Sequence, residues 1–179
     1  VLSPEELKKI YLFCSRHKKF TQLSPEEQEH FILKAIESGK QVARTVKQDY
    51  NDMPLDKLLV RLGIALEYDN RENQIGNMVV RAKYAGNPPT ITIYRKTIQQ
   101  LDENKKYSLN AQQLEEIALA HELYHHINYI EIQNSKFKIQ KNEQRKKIPR
   151  LFDELAAQSF TQYYLGLTFF PLSIDFKQF

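Results

Sequence analysis

One stretch, residues 110–128, most limits what this chain can fold into. Leu114, Ile117, Ala118, Leu119, Ala120, Leu123, Tyr124 and Ile127 recur at helical spacing and leave a narrow polar arc carrying Glu115, Glu122 and His126. A helix apolar on nearly all sides must be wrapped by other elements, so the pattern predicts a buried central helix over about 111–128. Asn110, with Gln113 three residues on, is placed to cap its start.

The rest of the chain must supply the wrapping. Ser3-Pro4-Glu5-Glu6 and Ser24-Pro25-Glu26-Glu27 repeat one helix-start signal, in which Ser caps, Pro takes the first helical position and the second Glu closes a capping box. Apolar residues follow each at helical spacing. Pro54 opens a short third helix that turns Leu55, Leu58, Leu59 and Leu62 inward, and Gly63 is placed to end it. The period then changes. Residues 64–68, 78–84 and 90–95 read as strands, with Ile91 and Ile93 on one face and a turn at 86–89. Three strands without intervening helices predict a small, mostly antiparallel sheet. Residues 134–150 read as a loop, and 151–165 as a last helix ended by Gly166. The expected class is α+β: a helical N-terminal segment over 1–52, then a sheet packed on the buried helix over 53–179.

The buried helix carries His121-Glu122-Leu123-Tyr124-His125. Residues i and i+4 sit one turn apart on one face, so both imidazoles can reach one ion. Glu122 projects beside that ion rather than onto it, where a base takes a proton from water. With five histidines in the 179 residues, chance gives this pattern in roughly one such chain in a hundred. Two unpaired imidazoles and a carboxylate would also be costly to bury on so apolar a helix.

A catalytic zinc takes three protein ligands and keeps one position open. Three carboxylates are candidates for the third ligand. Glu154 lies 29 residues after His125 on the following helix, and is favoured because it completes a His₂Glu set. Asp153 is its neighbour. Glu131 lies six residues after His125, where metzincins place a third His, although that pattern wants Gly where this chain has Asn128.

The His121–His125 motif, followed by Asp153-Glu154-Leu155-Ala156-Ala157-Gln158-Ser159-Phe160 and then Pro171, resembles the ImmA/IrrE family of metallopeptidases over about residues 53–172. Tyr124 stands where Gly is usual in that family. The resemblance implies a zincin-like fold, with His121, His125 and Glu154 as ligands of Zn2+ and Glu122 as the catalytic base. It also implies a protein substrate, often a helix-turn-helix repressor. His126, Tyr129, Tyr163 and Tyr164 are candidates to stabilise the oxyanion. A non-catalytic metal-containing module that sequesters a partner is the alternative.

Charge bears on the partner. The net charge is +4, yet residues 136–150 alone hold +6, seven basic residues against Glu143. A basic segment on an otherwise slightly acidic chain reads as a solvated loop or a docking surface, and argues against nucleic-acid binding by the whole domain. Cys14, the single cysteine, forms no internal disulfide, and the sequence, which begins at Val1, opens with no basic-then-apolar leader. The expected compartment is the cytoplasm, and no membrane partner is expected.

Overall fold

The computed structural model describes residues 2–75, 78–103, 108–134 and 143–174. Helices α1 (Pro4–Cys14), α2 (Lys18–Thr21), α3 (Pro25–Asp49) and α4 (Leu55–Arg61) come first. Strands β1 (Ala65–Asp69), β2 (Gln74–Ile75), β3 (Met78–Val79), β4 (Ala82–Gly86) and β5 (Pro89–Tyr94) follow. Then come α5 (Arg95–Glu103), α6 (Ala111–Asn134), α7 (Glu143–Lys147), α8 (Pro149–Leu165) and a 3-10 turn at Pro171–Ile174. No helix among the described residues is long and apolar enough to cross a membrane.

The helix starts form as their sequences dictate. Ser3 and Ser24 each accept from the backbone of the Glu three residues on, and that Glu reaches back to the cap, closing two capping boxes. Asn110 and Gln113 do the same for α6, at 2.9 and 3.0 Å. Gly166 ends α8 at φ +68°, a left-handed conformation that favours glycine. Helix α6 runs to Asn134, six residues beyond the expected end.

The expectation of a mostly antiparallel sheet is corrected. Three strands lie in the order β1-β5-β4; β4 pairs with β5 antiparallel, but β1 pairs with β5 parallel, so the sheet is mixed. The reason is the segment between β1 and β4. It lets β4 start one strand away from β1; β4 then runs antiparallel to β1, and its hairpin lays β5 between the two, parallel to β1. Part of it forms a separate β2–β3 pair, so the expected 78–84 strand is two strands in two sheets.

Helix α6 packs against β4 and β5 on one side and against α8 on the other, and α8 is backed along its length by α3. Ile91, Ile93, Ala120, Leu123 and Tyr124 are buried in this main core, to which α3 adds Val42, Ala43 and Val46. A second core gathers α1, α2 and the first half of α3 around Leu151, Phe152 and Leu155 of α8. There Phe20, Phe31 and Phe152 meet edge to face at 5.7 and 5.6 Å, contacts of about 0.5–1.5 kcal/mol each beyond burial. At Gly39 the backbones of α3 and α8 touch, and Ser159 Oγ donates to the Ile36 carbonyl at 2.7 Å. Glu154 lies on α8 where the two cores meet.

Where it is described, the basic stretch is mostly helical. Residues 136–142 lie outside the described residues, while 143–147 form α7 and α8 starts at Pro149. Its charges are also engaged: Lys147 pairs with Glu27 at 2.8 Å, Lys146 with Glu143 at 2.5 Å, and Arg145 turns inward to Asp153 at 2.8 Å. The expectation of a loop fails over 143–150, where the chain is mostly helical; Lys146, Lys147 and Arg150 are exposed as expected, while Arg145 is drawn inward by Asp153 on α8.

Candidate metal centre

Helical pitch sets His121 and His125 one above the other on α6, and α8 brings Glu154 across to them. The two Nε2 atoms lie 3.1 Å apart. Glu154 Oε2 is 3.3 Å from His121 Nε2, and Oε1 is 3.5 Å from His125 Nε2. These residues form a cluster that could hold a metal ion. The spacing fits the chemistry: two ligands on a tetrahedral ion at about 2.0–2.1 Å lie roughly 3.3 Å apart. Two imidazole nitrogens this close cannot both carry a proton toward each other.

The protonation states suit the same purpose. Burial, reinforced by the neighbouring His121, depresses the His125 imidazole to about 4, so it stays neutral with a lone pair to offer. Burial alone would raise the Glu154 carboxyl, but the His121 hydrogen bond and the nearness of the two imidazoles hold it at about 2. Its side chain keeps 46% of its accessible surface, open to the cleft.

Asp153 and Glu154 are adjacent, yet they face different ways. Asp153 is held by Arg145, Nε to Oδ1 at 2.8 Å and Nη2 to Oδ2 at 3.1 Å, which removes it as a ligand candidate in this arrangement. The backbone of Glu131 continues α6, but its side chain lies outside the described residues.

Glu122 shares a cleft of about 650 Å³ with the cluster, between α6 and the outer edge of β4. Its carboxyl is raised above the ordinary range, first by burial and further by Glu154; His121, a hydrogen bond from the Tyr84 backbone N–H and the charge of Arg81 act the other way. A carboxyl poised upward beside metal ligands is suited to proton transfer.

Of the four oxyanion candidates none is among the described residues that line the cleft. His126 is buried, its Nδ1 bonded to the Tyr84 hydroxyl at 2.9 Å. Tyr129 packs edge-on to Tyr84, Tyr163 lies under Lys40, and Tyr164 donates to the Met53 carbonyl at 3.1 Å. Tyr124 is buried against Phe160 in the core, so it does not narrow the cleft. Arg81, Tyr84 and Tyr94 line the cleft instead. One signal for Arg81 was legible: it is a lone charge inside the apolar run Met78-Val79-Val80-Arg81-Ala82. No protein-family model, no curated protein and no solved structure matches this chain, so its function is argued from the chemistry of these side chains.

Proposed function

We propose that the chain is a zinc-dependent endopeptidase of zincin-like fold, related to the ImmA/IrrE metallopeptidases. The observation that carries the reading is the convergence of two imidazole nitrogens 3.1 Å apart with the two Glu154 oxygens, one 3.3 Å from His121 and the other 3.5 Å from His125, in the same cleft as an upward-shifted Glu122. His121, His125 and Glu154 hold the ion. Zinc, when bound, supplies Lewis acidity, which polarises a carbonyl and lowers the pKa of water.

The chain's own residues do the rest. Glu122, oriented by the Tyr84 N–H, takes a proton as water adds to the scissile carbonyl. It returns that proton to the nitrogen as the C–N bond breaks, so the base of the first step is the acid of the second. Arg81, buried and lining the cleft, is a cation available to stabilise negative charge developing on the oxygen. The outer edge of β4 offers backbone groups to an extended peptide. The proposed substrate is a protein, with a helix-turn-helix repressor as the first to try, and the buried Cys14 thiol suits the reducing cytoplasm.

Metal analysis and two variants test the reading. The purified protein should carry one zinc per chain, and Glu154→Ala should lose it. Glu122→Gln should keep the metal and the partner but lose about 10²–10⁴-fold in hydrolysis. Retention of zinc at wild-type affinity by Glu154→Ala would overturn the ligand set. Wild-type cleavage by Glu122→Gln would remove that residue from the mechanism. A wild-type protein that binds zinc and a partner yet cuts nothing would be the non-catalytic module.

A further inference from the structure

The ligands come from two helices, and a ligand set tolerates displacements of only about 0.5 Å. Hydrophobic packing between α6 and α8 brings the helices together and sets their register coarsely. A directional polar tie beside the ligands, made by a positioning residue, would hold that register to the finer tolerance. We propose that Arg145 is that positioning residue: from α7 it ties α6 to α8 beside the cluster and so fixes where Glu154 meets the two histidines. The inference rests on the zinc reading above.

The geometry is a closed circuit across three helices. Arg145 Nη2 donates to Asn128 Oδ1 at 2.7 Å, and Asn128 lies three residues beyond His125 on α6. The same guanidinium grips both oxygens of Asp153, the residue before Glu154 on α8, at 2.8 and 3.1 Å. Asn128 also bonds the Asp153 carboxylate, closing the ring. Every member is sheltered: Asn128 is 6% exposed, and the Arg145 and Asp153 side chains 20% and 18%. In such surroundings a bidentate Arg–carboxylate pair is short, directional and little screened by water. Lysine could not replace it, since one ammonium cannot present the planar fork that meets two oxygens and an amide at once.

The other contacts of α7 do not compete for this role. Lys147 reaches Glu27 on α3, and Lys146 pairs with Glu143 within α7 itself, both on the surface. Arg145 alone among the described cations of α7 contacts both ligand-bearing helices.

The test separates positioning from stability. Zinc affinity would be measured by competition with a chromophoric chelator, and metal-free melting by circular dichroism. The proteins are wild type, Arg145→Met and the double variant Arg145→Met/Asp153→Asn. Arg145→Met should bind zinc about 10–100-fold more weakly, the usual loss when a group supporting metal ligands is removed. It should also melt lower, because Asp153 is left buried without its cation. The double variant removes that stranded charge and should recover most of the melting temperature while its zinc affinity stays low. Recovery of affinity together with melting would make the circuit merely structural and overturn the proposal. So would wild-type affinity in either variant. If Arg145→Met does not fold, the double variant answers alone. A wild-type protein that binds no zinc would instead sink the zinc reading, and this inference with it.

Discussion

Replacing Gly39 by Ala should open the contact on which α8 rests. A Cβ built at Gly39 would lie 2.0 Å from the Ala156 carbonyl oxygen and 2.8 Å from the Phe160 nitrogen, whereas ordinary contact begins at 3.4 Å. All the crowded atoms are backbone, so no rotamer change relieves them, and the two helices must separate by more than an ångström. Overpacking of this kind costs about 1–3 kcal/mol, and a rigid obstacle puts it at the upper end. Alanine's better helix propensity returns roughly 1 kcal/mol. The net loss is about 2 kcal/mol, which for a chain of this length lowers Tm by about 4–8 °C. The assay is thermal unfolding of the metal-free protein. Because Glu154 is two residues from Ala156 on the same helix, zinc affinity should fall as well. A variant that melts at or above the wild-type temperature would refute the argument, since the close approach would then cost nothing.

Two further outcomes follow from individual groups. Hydrogen bonds from Ser3 and from the Phe170 N–H outweigh burial and hold the Glu6 carboxyl below its usual range. Its contribution is therefore full above the unfolded carboxylate pKa and lost as pH falls through the folded value. Glu6→Gln should flatten the acid limb of a Tm–pH curve, and an unchanged acid limb would count against it. Burial pushes the Cys14 thiol up to about 12, so native protein should resist alkylation near neutral pH while unfolded protein reacts at once. Stability should also decline as pH rises from the unfolded thiol value toward the folded one. Rapid stoichiometric labelling of native protein would show that Cys14 is not shut away.

What the sequence revealed and what it hid divide along physical lines. Both Ser-Pro-Glu-Glu starts, the buried helix and the Gly63 and Gly166 stops are local chemistry, readable within a few residues. The pairing of β1 with β5 is not local, because it depends on which edge is free once β4 and β5 have closed their hairpin. Helix α5 was hard to read because it is short, begins where β5 ends and buries only Thr97 and Ile98 among its described residues. Helix α7 escaped because its charges read as solvated, and only the folded chain supplies Asn128, Asp153 and Glu27 as partners. The His pair was legible by spacing. The choice between Asp153 and Glu154 turned on the direction each side chain takes from α8, which a one-dimensional pattern does not record.

The contact between α3 and α8 also bears on the order in which the molecule is made. Synthesis runs from the N-terminus, so α3 leaves the ribosome early and its inner face waits for a partner more than a hundred residues downstream. The two histidines emerge 29 or more residues ahead of Glu154. Until α8 docks, the nascent chain offers an ion only a pair of nitrogens, with the clamp and the carboxylate still to come. On the zinc reading, stable metal capture would then wait for α8 to dock, and retention of an ion would report that α3 and α8 have met.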